Sequence, residues 1–433
     1  MSDCGHEKII LQLQEKVKQL TQKLSYYENP HSPPSKNSLE WRKQKHDAKT
    51  NRYFDSSKSK RGGIPGHNGG TQKFDPTSTT HHKSDTCQTC GSADISQTKI
   101  HKRVMVGIPP PIPYVVTEHI LYQYNCKNCS DGFKTDGNLP PCGNFDASAI
   151  REVVSLFSKR MPYDTIRITL QERYGLEISC TTVQSILRTG SVMLEPLYNT
   201  IHSKITTASV IGIDETTFPI DGKTGWMWVA RSKTESYYTL EYSRGGKILK
   251  KHFKKFSGIL ISDGYIPYRT VFCDNVKQRC TAHLQRDAKY RVRKSKDKQA
   301  KTIYGKFSKL LHRTRIWSIQ EHSEKQRKRH ALNLLKQVDS IICQYMSGDK
   351  EMIQFGGKLK TTRNSLFTFV KYPGVPSTNN DTENSIRKCI MQRNVRGQMK
   401  SNQGMKMLSV FLTCFETWRI QGLNMFSEMA KYI

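Results

Sequence analysis

Three acidic residues stand where a cation could be held. Asp214 closes an apolar run in IGIDETTF, and Asp263 closes another in ILISDGYIPY. Each run reads as a buried strand, so each carboxylate emerges at a strand end. Carboxylates at the ends of neighbouring central strands can share a divalent ion, and Mg²⁺ (or Mn²⁺) takes oxygen ligands while keeping open water positions. A third carboxylate from a helix would complete a site for two ions roughly 3.5–4 Å apart, which activates an attacking oxygen and stabilises a leaving one. Glu383, at a helix start in STNNDTENSIRK, is the best placed, with Asp381 just before it as the alternative. Glu215 is expected to point away from Asp214, because adjacent strand residues face opposite sides. The competing reading of any aspartate after a strand is a cap or turn former, as Asp221 and Asp274 illustrate.

A second set of residues is suited to a softer metal. CQTC and CKNC place Cys87, Cys90, Cys126 and Cys129 as two knuckles separated by 35 residues. Four thiolates can close a tetrahedral Zn²⁺ site. The long gap calls for a hairpin, and Gly91 with the strand-like VTEHILYQY suits a zinc ribbon. Unligated cysteines or a redox pair are the alternatives. In CTAH, Cys280 and His283 could bind metal or brace the carboxylates, and the structural role is favoured.

The charge balance narrows the partner. Lys and Arg number 69 against 37 Asp and Glu, a net +32. That excess costs self-repulsion in a compact chain but is favourable against a polyanion, whose counterions are released on binding. DNA is the partner this favours over a ribosome-associated role. Twelve cysteines without disulfide-scaffold spacing fit a reducing compartment. The first residues lack an apolar signal core, and no run of about 18 apolar residues suggests a membrane span. A cytoplasmic, nucleoid-associated protein is expected.

The elements that would position these residues follow in order. Over residues 1–28, Ile10, Leu13, Val17, Leu20, Leu24 and Tyr27 form an a/d seam, read as a coiled-coil helix that makes a homodimer or higher oligomer, or as an ordinary amphipathic helix. Residues 29–84 are a basic, Pro- and Gly-rich flexible arm or linker, and 85–145 hold the paired cysteines. Residues 146–203 form a helical region resembling a helix-turn-helix. Gly175 lies at its turn, Ser179 is an N-cap, and Thr181, Thr182, Gln184 and Arg188 lie on the candidate DNA-recognition helix. Two packed helices without that role are the alternative. From 204 onward, three strand patterns, a helix at RGGKILKKHFKKF, a strand at GILISDG and a fifth at RTVFCD suggest an α/β sheet of mixed direction. Residues 286–330 are helical, with 16 basic against 4 acidic side chains, and include Trp317, read as a core residue or a base-stacking one. Arg387, Lys388, Arg393 and Arg396 follow Glu383 and could contact phosphates or line a solvated face.

The series as a whole — zipper-like helix, PPSKNS, GGIPGHNGG, paired CxxC, IGIDETTF, ISDGYIPY, CTAHLQRD, NNDTENSIRK — resembles the insertion-sequence-66 family of DDE transposases over nearly the full length. The resemblance implies an RNase H-like catalytic core over 204–433 that uses a divalent metal, and its triad falls on Asp214, Asp263 and Glu383. It also implies cleavage at transposon ends and strand transfer into target DNA. The first two acids are 49 residues apart and the last two 120. The second interval exceeds a minimal core of this kind, so about 286–372 reads as a helical insertion. The family's usual Ala-Glu-Arg is here Thr382, Glu383, Asn384. A nuclease or resolvase without strand transfer, or a non-enzymatic DNA-binding regulator, are the rival readings.

Overall fold

The computed structural model describes residues 139–433 without a break, residues 112–125 and 132–134, and scattered positions before them. The coiled-coil helix and the arm fall outside the described residues except at isolated positions, as do Cys87, Cys126 and Cys129. Two units divide the chain, Met1–Ile112 and Pro113–Ile433. The second unit is described below.

It opens with a short antiparallel hairpin, β1 (Gln123–Asn125) and β2 (Gly132–Lys134). Four helices follow: α1 (Ala147–Ser158), α2 (Tyr163–Tyr174), α3 (Cys180–Met193) and α4 (Glu195–Thr207). Gly175 ends α2 in the left-handed conformation, and the Ser179 side chain accepts the backbone N–H of Thr182 to start α3. Next come β3 (Val210–Ile220), β4 (Lys223–Arg231), β5 (Ser236–Glu241), α5 (Gly246–Phe253), β6 (Ile259–Ser262), α6 (Ile266–Val271) and β7 (Lys277–Arg279). The strands form one sheet in the order β5-β4-β3-β6-β7. Only β4 runs against the others.

The fifth strand is not where the sequence pattern put it. RTVFCD lies in α6 and the turn after it, and the strand is the polar KQR of β7. Pro267 at the start of α6 favours a helical turn, and a short apolar run fits helix or strand equally. β7 is held by pairing with β6 rather than by an apolar pattern.

The remaining elements are α7 (Thr281–Lys294), α8 (Ala300–Ser318), α9 (Glu324–Met346), α10 (Lys350–Thr362), α11 (Thr368–Lys371), α12 (Asn380–Arg396), α13 (Asn402–Ile420) and α14 (Met425–Met429). Helices α7 to α11 build a core of their own around Phe307, Leu334, Tyr345 and Phe355. They lie in the chain between β7 and α12. Trp317 is half-buried, with His322 stacked at 3.6 Å and His330 at 4.0 Å between ring centroids. Those contacts fit the packing reading.

A larger core runs from Ile150 to Ile433 and joins α1–α4 to the sheet and to α12–α14. The packing is therefore continuous across the boundary placed at 203/204. Helix α13 is buried on nearly every side and lies against the edge strand β5. The Ser409, Thr413 and Thr417 hydroxyls accept the backbone N–H groups of Leu240, Tyr238 and Ser236 at 3.2, 2.9 and 3.1 Å. Four residues of helix rise about 6 Å and two of strand about 6.8 Å, so the two periods match. The amides of an otherwise open edge are satisfied. Among the described residues, no helix is long and apolar enough to cross a membrane.

Candidate active site

Parallel pairing of β3 with β6 aligns Val210 with Ile259, Ile211 with Leu260 and Gly212 with Ile261, an offset of 49 residues. Carried two residues on, that offset brings Asp214 opposite Asp263. Neighbouring strands are about 4.8 Å apart, so both carboxylates issue from one level of the sheet. The backbone N–H of Glu215 donates to Asp214 Oδ1 at 2.9 Å, and that of Tyr265 donates to Asp263 Oδ1 at 2.9 Å. Neither aspartate makes an ion pair among the described residues.

Glu383 reaches the same region because α12 is seated directly on β3. A Cβ on Gly212 would overlap Asn379 Oδ1 and Thr382 Oγ1. Asn379 Nδ2 donates to the Ile213 carbonyl at 3.1 Å, and its backbone N–H meets Cys280 Sγ at 3.2 Å. Burial pushes the Asp214 carboxyl well above its ordinary range, and the charges of Glu215, Asp263 and Glu383 push the same way. Gathered like charges of this kind suit a cation, which would relieve them together. The donor set is all oxygen and fits Mg²⁺ or Mn²⁺.

The other candidates fall around this cluster. Buried Cys280 stands at the N-cap of α7, and its sulfur accepts the Asn379 backbone N–H. His283 Nδ1 lies 3.5 Å from Glu383 Oε1, and Arg286 Nη2 donates to that oxygen at 2.8 Å. The Cys280 sulfur, a His283 nitrogen and a Glu383 oxygen lie within 4.8 Å of one another and could hold a metal. The Asn379–Cys280 bond and the Arg286–Glu383 pair fit the bracing reading as well. Asp381 is exposed on the first turn of α12, Asp221 sits in the β3–β4 turn, and Asp274 is exposed after α6. A cleft of about 900 Å³ opens near His322, Arg327 and Pro376 rather than at the carboxylates.

Several participants went unrecognised in the sequence. Glu215, expected to point away from Asp214, stays close enough for its charge to act on Asp214 and for that of Asp263 to act on it, and it is bound by Arg244 at 2.7 Å and by the Tyr268 hydroxyl at 2.5 Å. Burial, then the Asp263 charge, raises the Glu215 carboxyl. Arg286 was within reach of pattern reasoning, since it lies one turn after His283 on the same helix face.

The basic residues of α12 divide. Arg387 is exposed and Lys388 half-buried. Arg393 donates to the Thr217 carbonyl at 2.5 Å. Arg396 donates to the Phe157 and Met161 carbonyls at 3.3 and 3.2 Å and stacks on Phe157. The last two hold α12 to β3 and α1. On α3, Thr181 and Arg188 are exposed, while Thr182 and Gln184 are half-buried.

A pH dependence follows from Asp214. Its folded-state pKa exceeds the unfolded value, so the folded chain keeps the proton longer. Stability of the metal-free protein should therefore fall as pH rises from the ordinary carboxylate range through the raised pKa. Over the same window Mn²⁺ affinity should rise, with release of about one proton. Calorimetric titration in buffers of different ionisation heat reads that proton. A pH-independent affinity would contradict it.

The family model described as "Transposase IS66 family" matches residues 146–407. The chain is also similar to "Uncharacterized protein y4qI" of Sinorhizobium fredii (strain NBRC 101917 / NGR234), 23% identical over 287 residues. That match covers 58% of this chain and about half, 52%, of the relative.

Proposed function

Because the chain belongs to the IS66 family of transposases, we propose that it cuts DNA at the ends of a mobile element and joins the freed ends to target DNA. The observation that supports this reading is the 49-residue offset of β3 on β6, whose last pair lies two residues before Asp214 and Asp263, together with the charges of Asp263 and Glu383 acting on the Asp214 carboxyl. Asp214 lies within β3, which runs on to Ile220 rather than ending at the acid as its apolar run suggested, and Asp263 directly follows the adjacent parallel strand β6; in a five-stranded mixed sheet this placement also supports an RNase H-like core. A net +32 suits a DNA partner.

In this reading Asp214, Asp263 and Glu383 hold divalent cations, which supply charge neutralisation at the phosphate and at the attacking and leaving oxygens. The protein's part is placement. The sheet fixes the two aspartates, and Asn379 with Cys280 fixes the start of α12. Arg286 holds Glu383 here, and were that carboxylate taken by a cation, its guanidinium would be free to meet a phosphate. Thr181, Thr182, Gln184 and Arg188 on α3, with exposed Arg387 and half-buried Lys388, are proposed DNA contacts. Cys87, Cys90, Cys126 and Cys129 are proposed to hold structural Zn²⁺, and the N-terminal seam to assemble at least two copies on paired ends.

The test is incubation with Mg²⁺ or Mn²⁺ and duplexes taken from the DNA flanking the coding segment. Cut ends bearing a 3′-hydroxyl and joined products are expected. Cutting without joining of pre-cleaved ends would favour a nuclease, and binding without cutting a regulator.

A further inference from the structure

One basic side chain beside the carboxylates is uncommitted. Arg279 ends β7, paired with Ser262, the residue before Asp263. Its guanidinium lies against Gly264, where a Cβ would overlap Cζ and Nη1. Gly264 has φ +87°, so both its backbone and its missing side chain serve this approach. Nε and Nη1 of Arg279 are buried, and neither has a hydrogen-bond partner among the described residues. The neighbouring arginines differ: Arg244 is bound to Glu215 and Arg286 to Glu383.

Buried donors on a charged group are costly to leave without acceptors. Such a group calls for an explanation, and a ligand that brings acceptors is one. The ligand must be anionic and offer oxygens to a planar fork, as a phosphodiester does. The side chain stands one residue from the level of the Asp214–Asp263 pair. A carboxylate partner already in the protein is not used: among the described residues Arg279 makes no ion pair with Asp263, and burial lowers the guanidinium pKa more than the Asp263 charge raises it.

We propose that Arg279 binds a non-bridging phosphate oxygen of the DNA strand entering the carboxylate site, and so positions that phosphate. This rests on the reading that DNA is engaged at these carboxylates. It assigns a role to a residue that no motif singled out.

A protein–DNA cycle tests it. Binding of full-length protein to the flanking duplexes is measured in Ca²⁺, with single phosphates replaced in turn by uncharged methylphosphonates. Wild type should lose affinity about tenfold at a phosphate of the cleaved junction. Arg279→Gln should lose that sensitivity, and Arg279→Lys should keep most of it, with melting temperatures confirming that both variants fold. Equal sensitivity in Arg279→Gln, or no sensitive phosphate in wild type, overturns the proposal. Mn²⁺-dependent cutting is scored separately. A chain that shows the Arg279 coupling but never cuts would leave this assignment standing and remove the transposase mechanism. One that cuts without the coupling would do the reverse.

Discussion

Asp214→Asn is expected to lower metal-dependent DNA cutting on the order of a thousandfold or more and, at the same time, to raise the melting temperature of the metal-free protein. Both effects have one cause. Asp214 is pushed up by burial and by Glu215, Asp263 and Glu383, so at neutral pH its charge is a cost to the fold. Asparagine keeps the shape and can still accept the Glu215 N–H while removing one of the converging charges. A cation site stabilises a protein in proportion to its occupancy. Mn²⁺ should therefore raise the wild-type melting temperature clearly and that of the variant little. Melting scans in EDTA and in Mn²⁺, with gel assays of cutting, read all of this. A variant that melts lower than wild type in EDTA would mean the carboxylate is a structural partner rather than a strained ligand.

The strands that carry the aspartates were legible because apolar runs ending in an acid have few readings in a soluble chain. The 49-residue interval was also visible, but its meaning was not. Only the pairing of β3 with β6 shows that the interval equals the register offset. β7 was misplaced because it is polar and is held by its neighbour, information absent from a local window. The hydroxyls of Ser409, Thr413 and Thr417 recur every four residues yet read as ordinary helix positions, since their partners are amides of a strand far away in sequence. Arg279 and Gly212 were silent for the same reason. What makes each matter is a contact with an element that the chain reaches much earlier or later. The proposed ligands are thus encoded by local pattern, and their supports by long-range packing.

Gly212 tests that division. Its Cα faces α12 so closely that a methyl group would overlap Asn379 Oδ1 and Thr382 Oγ1. Neither is the free end of a long side chain. Asn379 is tied to Ile213 and Cys280, and Thr382 is buried. Gly212→Ala must therefore move the start of the helix, and Glu383 follows Thr382 directly. Overpacking of this kind costs about 1–3 kcal/mol of stability, which a melting curve will register. The functional loss should be larger, about a hundredfold in cutting, because a shift near 1 Å at a reacting centre is enough for that. Asp214 and Asp263 remain on their strands, so Mn²⁺ binding should weaken but persist. That separates the variant from Asp214→Asn, in which stabilisation by Mn²⁺ is nearly lost. If Gly212→Ala cut at the wild-type rate, the seat of α12 on β3 would not be what delivers the third carboxylate. Glu383 would then lose its role to an acid that the strand does not position.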